Sequence, residues 1–263
     1  MKIAMLAVGI SQYASPEIDD LTVCHDDAAK MVAAFRALAP ATFVERILLN
    51  EQATKASIAA AIAWLAESVG AADLAVFYYS GHGASFEDDG SDEADKAEEF
   101  LCPHDCGLTT GVETFIRDDE LRQWLSAVSA KTTRLVTILD SCHSGTATMA
   151  SSVAIAKEIP SAVVSRLIGA DRRPKLPKSG EGPIPGQILL AGCQDSEQAF
   201  ILIGAENSLF TTELIKGLQN PTITTFQDLF AYARAAIEDQ ADAAGIVQNP
   251  NLVDGSASPL AFR

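Results

Sequence analysis

Residues 133–145 read TRLVTILDSCHSG, and the point where this stretch changes character decides how the chain folds. Leu135 to Leu139 is a short run rich in apolar and branched side chains, as a buried strand requires. Packing gives no reason for the Asp140, Ser141, Cys142 and His143 that follow. In open α/β sheets, polar clusters of this kind stand where sites assemble, at the carboxyl ends of strands. The same transition occurs upstream, where DLAVFYYS at 73–80 runs into Gly81, His82 and Gly83.

Further apolar runs lie at 3–9 (IAMLAVG), 43–49 (FVERILL) and 186–193 (GQILLAGC). They alternate with segments of helical periodicity at 26–38, 55–69, 118–129, 208–219 and 225–243. Alternation of this kind predicts an α/β fold, a mostly parallel sheet with helices on its faces. Two stretches break the pattern. Glu87 to Glu99 is too acidic for a core and reads as a loop. Residues 151–185, rich in Pro and Gly and carrying the basic cluster DRRPKLPK, read as a long exposed linker. The chain then divides into 1–150, this linker, and 186–263, and the last part must complete the same sheet because it is too short for a core of its own.

Composition narrows the partners. The 263 residues carry 19 Lys plus Arg against 35 Asp plus Glu, a net charge of −16, which argues against nucleic acid or an anionic membrane surface and favours basic peptides. The five cysteines are odd in number and irregularly spaced, so a reducing cytoplasm fits best. The apolar start is too short for a signal peptide or a membrane span and reads as a first strand.

If two parallel strands end in His82 and Cys142, the side chains can meet although 60 residues separate them. A thiol becomes a strong nucleophile when a neighbouring imidazole takes its proton, and the imidazole later returns that proton to a leaving amine. The backbone amides of Gly83 and Cys142 are candidates to hold an oxyanion. The implied reaction is acyl transfer, most simply peptide-bond hydrolysis. Taken singly, a Gly-His-Gly is often only a turn and a cysteine only a core residue. His143 is a rival base, although side chains of adjacent residues at a strand end point apart.

These residues resemble the metacaspases and orthocaspases, caspase-like cysteine peptidases of bacteria, plants, fungi and protists. The matching pieces are VGISQY (8–13), CHDDAAKM (24–31), YYSGHG (78–83), DEADKAEEFLCPHD (92–105), IRDDELRQWL (116–125), ILDSCHSG (138–145), ILLAGCQDSEQAF (188–200) and SLFTTEL (208–214), in family order. The resemblance implies the caspase-hemoglobinase fold, with a central sheet of about six strands, His82 as base and Cys142 as nucleophile. It makes 1–150 large-subunit-like and 186–263 small-subunit-like. It disfavours true caspases, whose nucleophile follows Gln-Ala.

The resemblance further implies an acidic pocket lined by Asp27 and Asp140, suited to Arg or Lys on the amino side of the cut bond; Asp26 is an alternative to Asp27, which is otherwise a capping or solvated helix residue. Calcium is implied at Glu98, Asp118 and Asp119, though Asp118 and Asp119 are equally explained as the acidic start of a helix. Family members are often processed between the two halves, and Arg166, Arg172 and Arg173 offer sites in the linker, for the enzyme itself or an activating protease. The expected protein is a monomeric cytoplasmic enzyme of a bacterial stress, cell-death or antiviral response. The alternative is a catalytically silent caspase-like scaffold.

Overall fold

The computed structural model of the chain describes residues 1–39, 41–87, 97–107, 110–142, 153–159, 163, 164, 166, 183–194 and 197–263. Its centre is a six-stranded sheet in the order β11-β9-β7-β3-β1-β2. β1 (Ile3–Gly9), β2 (Phe43–Leu49), β3 (Leu74–Ser80), β7 (Leu135–Asp140) and β9 (Gln187–Ala191) run parallel, and β11 (Asn251–Asp254) closes one edge antiparallel to β9. The two parts on either side of the 151–185 stretch therefore share one sheet.

Strand alternation sorts the core into two layers. Ile3, Met5, Val76, Tyr78, Val136 and Ile138 face one way, packing with Met31 and Phe35 of α1 (Cys24–Leu38), Leu214 of α4 (Leu209–Gln219) and Phe226 of α5 (Phe226–Ala244). Leu6, Val8, Phe77 and Tyr79 face the other way, onto Ile58, Ile62 and Leu65 of α2 (Lys55–Glu67) and Leu121 and Leu125 of α3 (Asp118–Ser129). Each large side chain so buried contributes about 1.5–3 kcal/mol. Because both faces are covered, the central strands read as unbroken apolar runs instead of alternating ones.

Two expectations need correction. The acidic stretch at 87–99 is not loop to its end: Ala97–Leu101 forms β5, antiparallel to β4 (Gly83–Glu87) and paired with β6 (Ile116–Arg117) in a small second sheet. Burial of Phe100 and Leu101 anchors it despite the charges before them. The linker is likewise not exposed throughout. Ala154–Ala156 forms β8, antiparallel to β10 (Phe200–Leu202), and Ala154, Lys157 and Ile159 are buried. No helix among the described residues is long and apolar enough to cross a membrane.

Candidate functional site

The parallel register of β3 and β7 sets Ser80 beside Asp140, so His82 and Cys142 each stand two residues beyond a paired position. Gly83 then packs directly on the Cys142 backbone; a Cβ there would lie 1.8 Å from the Cys142 carbonyl oxygen, which is why the position takes glycine. Cys142 is fully buried, and its Sγ accepts a hydrogen bond from the Ala199 amide at 3.0 Å. His143 lies outside the described residues.

His82 is held by its own main chain and by the loop after β1. The Tyr13 hydroxyl accepts from the His82 amide at 2.7 Å, and the Tyr79 hydroxyl donates to the His82 carbonyl at 2.8 Å. The ring lies 4.9 Å from that of Tyr13. Its Nε2 is 2.8 Å from the Asp19 carbonyl, an acceptor only, so in the neutral ring Nε2 carries the proton and Nδ1 the lone pair. Nδ1 is buried, with no hydrogen bond of good geometry among the described residues. Burial dominates the electrostatics and lowers the His82 pKa to about 4, against the opposing pull of the Asp19 and Lys157 carbonyls.

This depression has a stability consequence. The unfolded imidazole gains its proton near pH 6.5 and the folded one only near 4, so falling pH favours the unfolded chain across that window and stability rises again toward neutrality. Between pH 8 and pH 5 the His82 contribution amounts to about 2 kcal/mol. Urea unfolding of wild type and His82→Gln at both values checks this: the variant should lose roughly that much less on acidification, and equal losses would refute it.

The pocket beside these residues is ionic and dry. Asp27, Asp140 and Lys157 are all inaccessible to solvent, with Lys157 Nζ 2.8 Å from Asp140 Oδ1 and 3.5 Å from Asp27 Oδ2. Nζ also donates to Ser80 Oγ at 2.9 Å and to the Asp140 carbonyl at 3.1 Å. The other carboxylate oxygens are bound elsewhere: Asn207 Nδ2 (2.7 Å) and the Ser208 amide (3.1 Å) donate to Asp27 Oδ1, and Ser208 Oγ and Thr211 Oγ1 donate to Asp140 Oδ2. Ser208 caps α4, so the positive end of that helix faces both acids. Asp140 Oδ1 has no hydrogen bond among the described residues apart from its ion pair with Lys157.

Burial raises the Asp27 carboxyl above its ordinary range, with Asp140's charge adding to it and Lys157 opposing. Burial works against the Lys157 ammonium, but Asp140, Cys24 and Asp27 hold its pKa above the usual lysine value. Two carboxylates thus share one cation. Of the two adjacent acids, Asp26 faces solvent beside His25, whereas Asp27 is buried against Lys157.

The main chain of Lys157 completes the arrangement. Its carbonyl accepts from the amides of Gly83 (3.1 Å) and Cys142 (3.4 Å), and its own amide donates to the Ala199 carbonyl at 3.0 Å. The two amides singled out for an oxyanion thus hold the carbonyl of a lysine whose side chain fills the acidic pocket. Sequence reasoning missed Lys157 because it sits in a stretch that reads as linker. It also missed Ser80, Asn207, Ser208 and Thr211, of which Ser208 and Thr211 were visible only as part of SLFTTEL.

The remaining expected positions are less informative. Asp118 and Asp119 occupy the first turn of α3, while the Glu98 side chain lies outside the described residues. Among the described residues no three His, Cys, Asp or Glu side chains gather as a metal set. Arg166 is exposed, and Arg172 and Arg173 lie outside the described residues. All five cysteines are buried, and none forms a disulfide with another.

A family model, peptidase C14 caspase domain, matches residues 1–259. The chain belongs to the caspase-domain family. Among similar proteins, Metacaspase-1 of Pyricularia oryzae is 38% identical over 96 residues, 36% of this chain and 23% of that protein. Metacaspase-3 of Arabidopsis thaliana is 39% identical over 93 residues, 35% of this chain and 25% of that protein. Metacaspase-1 of Plasmodium falciparum is 26% identical over 258 residues, 90% of this chain and 38% of that protein. The chain thus spans well under half of the length of these relatives. A solved protein from Geobacter sulfurreducens superposes with a TM-score of 0.73 at 25% identity, covering 98% of this chain and 95% of that one. Caspase-1 from Spodoptera frugiperda shares the fold alone, with a TM-score of 0.60 at 13% identity over 99% of this chain and 88% of that one.

Proposed function

We propose that this caspase-domain protein is a cysteine endopeptidase that cuts peptide bonds after Lys or Arg through Cys142 and His82. The observation that carries the reading is the posture of Lys157. Its carbonyl sits on the Gly83 and Cys142 amides while its ammonium sits between Asp27 and Asp140, as a substrate residue before the cut bond would.

The chemistry follows from these positions. Cys142 Sγ gives its proton to His82 Nδ1 and bonds to the carbonyl carbon, whose oxygen becomes an anion between the two amides. Collapse breaks the carbon–nitrogen bond, the amine leaves with the proton from His82, and water hydrolyses the thioester. The low imidazole pKa keeps the ring unprotonated, with its Nδ1 lone pair available, at neutral pH. Departure of Lys157 would leave two buried carboxylates without a cation, so the pocket attracts Lys or Arg and repels Asp.

The same posture makes Lys157–Glu158 the processing bond of the 151–185 stretch, ahead of Arg166, Arg172 or Arg173, and makes the segment a plug until it is cut or displaced. The test is cleavage of fluorogenic peptides ending in Lys, Arg or Asp, together with intact mass of the chain. Release after Lys and Arg, and a fragment ending at Lys157 that Lys157→Ala abolishes, are expected. Preference for Asp-terminated peptides, or silence toward all of them by a chain that also stays whole, would favour the silent scaffold. The same assay in calcium and in chelator tests the calcium requirement that the resemblance implies: equal rates remove it.

A further inference from the structure

Residues 153–157 reach the site as an added strand. Ala154 pairs with Leu202, Ile155 with Ile201 and Ala156 with Phe200, and the pairing is flanked by Lys157 N–H to Ala199 O at 3.0 Å and Ile203 N–H to Val153 O at 2.9 Å. Main-chain pairing of this kind holds any sequence, and selectivity then falls to the pockets that receive alternate side chains. Side chains of a strand alternate, so Ile155 shares a side with Lys157, and Ala154 shares the opposite side with Ala156.

Each side has a patch to meet it. Ile155 packs on Leu21, Val23, Cys24 and Ile201. Ala154 and Ala156 lie against Phe200, Leu202, Ala241 and Ile246. The first patch belongs to the same piece of chain that builds the catalytic end of the site: Asp19, whose carbonyl holds His82, and Asp27, which faces Lys157, flank it in sequence. Burial pushes the Cys24 thiol up to about 12, so it serves there as an apolar wall. The second patch is tight, since Ala154 is 1% exposed with only a methyl group to bury.

We propose that these patches are substrate subsites, so that the enzyme selects peptides carrying an aliphatic, β-branched residue two positions before the cleaved Lys or Arg and small residues one and three positions before it. The proposal rests on reading Lys157 as the stand-in for the cleaved residue. The motif Ala154-Ile155-Ala156-Lys157 is then a cast of the preferred substrate. Leu21, Val23 and Ile201 determine the aliphatic choice, and Phe200 and Ile246 limit size on the other side.

The test is a set of fluorogenic tetrapeptides given to the full chain: Ala-Ile-Ala-Lys, Ala-Ala-Ala-Lys, Ala-Asp-Ala-Lys and Trp-Ile-Ala-Lys. Loss of the Ile side chain should lower kcat/KM roughly tenfold and Asp in its place roughly a hundredfold, while Trp at the first position should cost roughly tenfold. In the variant Val23→Ala the ratio of kcat/KM for the Ile peptide to that for the Ala peptide should shrink. A parallel readout is self-cleavage after Lys157 in full chains carrying Ile155→Val or Ile155→Asp, where the first should be cut and the second spared. Lys peptides cut at equal rates whatever precedes them would overturn the subsites and leave the lysine reading standing. Silence toward every Lys peptide by chains that also stay whole would overturn both.

Discussion

Cys142→Ala should abolish cleavage of Lys- and Arg-terminated peptides, with a fall on the order of 10^4-fold or more in kcat, because the proposed reaction forms its thioester on Cys142 Sγ. The fold should survive, since the side chain is small and, among the described residues, packs in a minor cluster with Cys193 and Ala199. A thermal melt close to wild type separates loss of chemistry from loss of structure. His82→Gln should approach the same floor, and the double variant should be scarcely worse than either single one, because groups acting as a unit are non-additive. Substantial residual activity in Cys142→Ala with an intact fold would place the nucleophile elsewhere.

The second large effect belongs to the pocket. Asp140→Asn should cost about 2–5 kcal/mol of transition-state binding for a substrate ending in Lys or Arg, the usual loss when one partner of a buried charge pair is removed. That is roughly 30- to 4,000-fold in kcat/KM. The loss should be smaller for Asp27→Asn, whose Oδ2 stands 3.5 Å from the ammonium against 2.8 Å for Asp140 Oδ1. A peptide ending in norleucine, which has a similar stem but no charge, supplies the control. Its cleavage should change little in either variant. An equal loss on Lys and norleucine peptides would mean that Asp140 only shapes the strand end, through Ser208 and Thr211.

The strand ends were legible because they are marked locally. An apolar run announces a covered strand, and a Cys or His just past its end has no packing reason to be there, so YYSGHG and ILDSCHSG point by themselves to one edge of one sheet. Asp140 was legible for the same reason. Asp27 was not separable from Asp26, because a helix start rewards acids at both positions. Lys157 was hidden more thoroughly. AIAKEI is too short to register as a strand beside a Pro-rich basic stretch, and a lysine is almost never fully buried unless paired, so nothing near it in sequence suggested a buried cation.

Periods of two and 3.6 residues depend only on neighbours along the chain, so the sequence by itself determined the five parallel strands of the main sheet, the helices that cover it and the α/β class, and it marked His82, Cys142 and Asp140 as strand-end residues. Tertiary structure alone decided which atoms meet. The pocket joins Asp27, Ser80, Asp140, Lys157 and Ser208 from segments as much as 181 residues apart. The dry, low-dielectric space they enclose makes two carboxylates demand a cation. The Lys157 carbonyl reaches two amides only because β8 adds to β10 in one register. Register between distant segments is a property of the packed chain, and no local pattern encodes it.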